Sequence, residues 1–151
     1  MSLHTLRRLF ITLALAIVPV GIAGAASAQG LICVALDHGA PAKPLLQLVA
    51  TSVGNGFVSI VGRRTHPTAG DRGVVSGGGV TTNGVLEVTL QSTAIVTTPQ
   101  FGPALISGST HFLLNPGTLS GSFKTVEIVT GESGGVSIEH TQGTATAVPC
   151  P

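Results

Sequence analysis

The sequence predicts an all-β domain, an antiparallel up-and-down meander of about eight or nine strands closing into a small β-barrel, with a Greek-key sandwich as the alternative. Three observations carry this. After residue 50, helix-forming residues are scarce, and Val, Ile and Thr recur in short bursts separated by Gly or Pro. Branched side chains of this kind fit a pleated, half-buried surface. In the stretch VLEVTLQS, Leu86, Val88 and Leu90 alternate with Glu87, Thr89 and Gln91, the period of a strand with one dry and one wet face. Finally, Asn83-Gly84 lies between two such bursts, and this dipeptide suits the two positive φ angles of a type I′ hairpin.

Taken in order, residues 1–28 read as a secretory signal peptide rather than as part of the fold. Arg7 and Arg8 supply the positive n-region, Leu9 to Ala26 is almost wholly apolar, and Ala26-Ser27-Ala28 fits the small-residue cleavage pattern. The alternative, an uncleaved membrane helix, is opposed by Pro19, Gly21 and Gly24, which interrupt a continuous helix. Residues 29–151 then form a single β domain, secreted or periplasmic. Strands are expected at 31–36, 45–52, 57–64, 73–82, 85–96, 104–114, 118–130, 135–141 and 143–149. The segment PAKPLLQLVATS also suits a helical face. In GVSIEH, Val136 and Ile138 are expected inward; in GTATAV, Ala145 and Ala147 share one face. In LSGSFKTVEIV the apolar positions change phase after Phe123, and a β-bulge near Lys124 would explain it. Pro116-Gly117 reads as the centre of a type II turn, with Gly117 as the left-handed corner. Glycines inside strands, in SGGG at 76–79 and at Gly108 and Gly121, fit the tight coiling of a small barrel.

Cys33 and Cys150 lie near the two ends of the mature chain. Ile32 stands where a lipoprotein signal needs a small residue, so Cys33 is not a lipid-anchor site. Two cysteines in an exported chain point to one disulfide, with two separate buried thiols as the alternative. Closing so long a loop stabilises by roughly 4–5 kcal/mol on the chain-entropy account.

Composition excludes several functions. After cleavage the cations are Lys43, Arg63, Arg64, Arg72 and Lys124, and the acids are Asp37, Asp71, Glu87, Glu127, Glu132 and Glu139. Five cations against six acids leave a net charge of −1, so there is no basic face for nucleic acid. With no Trp, no Tyr and only Phe57, Phe101, Phe112 and Phe123 remaining, the chain lacks the aromatic girdles of an outer-membrane barrel. No membrane span is expected after cleavage.

The densest polar stretch is GRRTHPTAGDRG, residues 62–73. Arg63, Arg64, His66, Asp71 and Arg72 are the candidate ligand-binding residues, since guanidinium forks suit carboxylates and phosphates. The plainer reading is a solvated loop. His38, His66, His111 and His140 show no metal-ligand spacing. Neither a nucleophile elbow nor a phosphate loop occurs, so no catalytic residue, cofactor or metal is expected. Two functions compete: a binding module for a small apolar or amphipathic ligand, and a non-catalytic structural or interaction protein with a solid core. The partner is correspondingly a small molecule or an envelope protein.

Overall fold

The computed structural model describes residues 30–65, 72–98 and 102–151; the expected signal peptide lies outside them. Eight antiparallel strands follow one another around a ring: β1 (Gly30–Asp37), β2 (Leu45–Gly54), β3 (Phe57–Thr65), β4 (Arg72–Thr82), β5 (Val85–Thr98), β6 (Gly102–Leu114), β7 (Gly121–Gly131) and β8 (Val136–Val148). Each pairs with its neighbours in sequence, and β1 pairs with β8 to close the barrel. Closure joins the first strand to the last, with Gly30–Ile32 of β1 and Val136–Gly143 of β8 lying outside the shared ladder.

The turns follow from their residues. Asn83 and Gly84 have φ of 52° and 77°, as a type I′ hairpin requires, and Asn55-Gly56 repeats the device at 52° and 78°. The β6–β7 connection departs from expectation. Gly117 is not left-handed; the left-handed residue is Leu119, with φ of 52°. Asn115 is the reason, because its side-chain oxygen accepts from the amides of Gly117 and Thr118 at 2.8 and 3.1 Å. Its carbonyl also accepts from the Leu119 amide at 2.8 Å, so the turn winds one residue further before reversing.

Other corrections concern the second half. The two final strands expected at 135–141 and 143–149 are one strand, β8. Gly143 does not break it; its α-carbon lies so close to the Asp37 carbonyl of β1 that an added Cβ would sit 2.0 Å from that oxygen. The bulge expected near Lys124 is absent. β7 keeps strict register with β6 and alternates throughout, with Phe123, Thr125, Glu127 and Val129 inward and Val126 and Ile128 outward. The register shift among the described pairs of β2 and β3 falls instead between Ser52 and Gly54. Val136 and Ile138 point outward and are both 61% exposed, the reverse of the expected facing. The segment that also suited a helix is strand β2.

Leu86, Val88 and Leu90 face the lumen as their alternation requires. Val88 and Leu90 join Val34, Leu46, Ile60, Val75, Phe112 and Phe123 in one buried cluster, and the partly buried Leu86 packs against it. Glycine permits the strands to approach here. At Gly77 an added Cβ would lie 2.0 Å from the Thr89 carbonyl of β5, so no larger residue fits that corner.

Candidate functional site

The inward side chains change character at one level of the barrel, and the sequence sets that boundary. Along β5 the inward series runs from Leu86, Val88 and Leu90 to Ser92; along β6, from Leu114 and Phe112 to Thr110; along β7, from Phe123 to Thr125 and Glu127. On one side of this boundary the lumen is dry. On the other it carries a polar belt.

The dry side holds a cavity of about 180 Å³. Its walls include Val34, Leu48, Ile60, Leu90 and Phe112, with Leu119 of the β6–β7 turn at its rim, and every lining residue is apolar. Phe112 and Phe123 lie beside each other with ring centroids 6.1 Å apart. The volume is large for a protein interior, where voids bigger than a water molecule are few. By the scaling of about 24 cal/mol per Å³, an unfilled space of 180 Å³ forgoes about 4 kcal/mol of packing. An apolar cavity of about 150 Å³ stays dry and takes up benzene.

The polar belt crosses the lumen beneath this cavity. The Arg64 guanidinium Nη1 donates to Oε1 of Glu127. β3 and β7 lie on opposite sides of the eight-membered ring, so this ion pair spans the barrel. Both side chains are well sheltered, 16% and 11% exposed. A pair in such surroundings is held less by net attraction than by the penalty of separating it. Thr110 and Thr125 hydroxyls meet at 2.9 Å across β6 and β7. The Ser92 hydroxyl is buried with no hydrogen-bond partner among the described residues.

Of the residues that the sequence nominated, Arg63 and Arg64 fall on opposite faces of β3. Arg63 is exposed outside, where its Nε donates to the Gln47 side-chain oxygen; Arg64 is inside. Period-two alternation separates any adjacent pair in a strand. Arg72 opens β4 opposite Thr65. Its side chain, His66 and Asp71 lie outside the described residues. Glu127 was not nominated, although counting by twos from the large apolar Phe123 places it inward.

Cys33 and Cys150 are joined, with α-carbons 5.2 Å apart. The bond draws the C-terminal segment across the outside of β1, which is why Cys33 is buried on the barrel's outer face. Elsewhere on that face His111 Nε2 and Glu87 Oε1 pair at 2.9 Å between β6 and β5. In the β1–β2 loop, the Lys43 ammonium donates to Asp37 at 2.6 Å and the Gly39 amide at 3.1 Å. These bonds, the lysine first, hold the Asp37 carboxyl below its ordinary value of 3.8.

The outer wall of β5–β8 also changes character. Level with the dry cavity it carries Glu87, His111, Lys124, Gln142 and Thr144. Level with the polar belt it carries Gln91, Thr93, Ser107 and Ser109 beside Ile128 and Ile138, and beyond them Ile95, Leu105 and Val136; the aliphatic ones are all exposed, Ile95 to 79%. Among the described residues no helix is long and apolar enough to cross a membrane, and no three His, Cys, Asp or Glu side chains are grouped to hold a metal ion. No protein-family model, curated protein or solved structure matches the chain.

Proposed function

We propose that this protein is an exported, non-catalytic binding module that holds a small apolar or amphipathic molecule in the dry half of its barrel. The observation that carries the reading is the 180 Å³ cavity walled only by apolar side chains. A ligand there regains the contacts that the empty space forgoes. The paired cysteines support an oxidising compartment, either the periplasm or the exterior.

Native mass spectrometry of protein purified from its own host tests the reading. A retained small molecule is the expected result. A clean apo mass, together with no uptake of benzene or dodecanoate in titration, overturns it. Filling the space by Ala50→Phe should abolish uptake while the barrel stays folded.

A second reading, an interaction protein of the envelope or extracellular space, is favoured by the exposed aliphatic patch around Ile95, Leu105, Ile128 and Ile138, since contiguous apolar surface marks contact sites. It does not require the solid core expected for it, because the patch is outside the barrel. Sedimentation of the wild type and of Ile138→Asp tests it: association lost in the variant supports this reading, and a monomer in both at high concentration removes its support.

A further inference from the structure

The barrel wall is not laced equally all round. β1 and β8 pair from Cys33 opposite Val148 to Asp37 opposite Thr144. Gly30, Leu31 and Ile32 pair with β2 alone. Past Val148 the chain leaves the ladder for the disulfide at Cys150. The seam therefore lacks ladder pairs at this end, beside the cavity. Ile32 and Leu119 stand in it, and each lines both the internal cavity and an apolar groove outside, whose walls include Leu31, Ala147 and Pro149.

Leu119 is also a backbone outlier. The other non-glycine residues with positive φ among those described are Asn55 and Asn83, a residue type that tolerates the left-handed region, whereas a leucine there is strained. The hydrogen bonds around Asn115 hold it in place. Glycine would relieve the strain, so a leucine at this point indicates a use for its side chain.

Resting on the cavity reading above, we propose that the β1–β8 seam is a portal gated by Leu119, and that its ligand is a single-chain amphiphile of the medium-chain fatty-acid type. The chain end fills the cavity, the middle passes between Ile32 and Leu119, and the headgroup stays outside in water. By comparison with the apolar space that takes one benzene, the cavity accepts about six carbons. Its walls offer no hydrogen bond, so a polar headgroup cannot enter without losing its hydration. The apolar groove shelters further methylenes before the headgroup reaches solvent.

The test is calorimetric titration of the oxidised protein with hexanoate, octanoate, decanoate and dodecanoate, with benzene as a compact comparator. Affinity should climb about fourfold per added methylene through decanoate. Benzene binding with no dependence on chain length overturns the portal and keeps the cavity reading; no uptake of any compound overturns both. Exchange measured by NMR tests the gate. Leu119→Gly should speed decanoate association and dissociation together, by about tenfold, with affinity little changed. Leu119→Trp should slow both. An unchanged rate in either folded variant overturns the gate.

Discussion

The two halves of the lumen solve the same problem by opposite means. Both lie inside one ring of eight strands and both need inward side chains that keep the walls apart. The dry half does so with Leu, Val, Ile and Phe that stop short of filling the space, leaving 180 Å³. The belt does so with Arg64 and Glu127 meeting across the barrel. The lesson is that a barrel of fixed strand number need not have a uniform interior. Residues two apart in a strand share a face, so exchanging one inward leucine for a serine, as between Leu90 and Ser92, changes the chemistry of a whole level. The outer wall changes too: polar Gln91, Thr93, Ser107 and Ser109 flank the belt, and beyond them the β5–β8 exterior carries Ile95, Leu105, Val136 and Ile138.

The largest expected effect sharpens the contrast at the dry half. There the five pairs that join β1 to β8 end beside the disulfide. Replacing both Cys33 and Cys150 by Ser should lower the unfolding free energy by about 4–5 kcal/mol in denaturant titration. A loss below about 1 kcal/mol would show that the ladder alone holds the ends. Next comes the belt. Glu127→Ala removes the carboxylate that Arg64 meets across the sheltered lumen and should destabilise by about 3 kcal/mol. The double variant Arg64→Met with Glu127→Leu should recover most of that loss. If it does not, the belt is more than a paired charge replaceable by apolar packing. Ser92→Ala should be smaller and opposite in sign, stabilising by about 1 kcal/mol, because it removes a buried hydroxyl that no described group satisfies.

The smallest effect belongs to the loop outside both halves. Asp37 titrates lower in the folded state than its ordinary 3.8, so the unfolded chain binds its proton first as acid is added. Its contribution to stability is complete above the ordinary value and is lost as pH falls through the lowered folded one. Asp37→Asn should flatten the acid limb of stability against pH and leave neutral pH little changed. An unaltered acid limb would remove Asp37 from the account.

Much of the fold could be read directly. The β5 alternation, the Asn83-Gly84 hairpin and the pairing of the two cysteines are local or compositional signals, and each has a stated physical cause. Sequence pattern misleads where a one-way rule is read in both directions. Val136 and Ile138 alternate correctly, but alternation does not say which face is inside, and apolar side chains are common on protein surfaces. The gap expected at Gln142, just ahead of Gly143, does not exist: a glycine marks either a turn or a close approach, and only the neighbouring β1 backbone distinguishes them. Pro116-Gly117 signals a type II turn, but the side chain of Asn115 is a competing turn former and moves the left-handed corner to Leu119. The candidate site was least legible. Arg63 and Arg64 are neighbours in sequence, but a strand sends them to opposite faces. The Arg64–Glu127 pair and the cavity exist only once distant strands close into a ring, and no local pattern encodes that.

The order of strands around the ring has a consequence for synthesis. Each strand from β2 onward can join its predecessor as it emerges, because the partner is already made. The join between first and last is different: it must wait for the whole chain. Until then a growing, curved ribbon carries two bare borders, that of β1 and that of the newest strand, and either can recruit a foreign strand. The hazard shrinks when the final strand docks on β1 from Thr144 to Val148, so a delay in the last hairpin prolongs the exposure most.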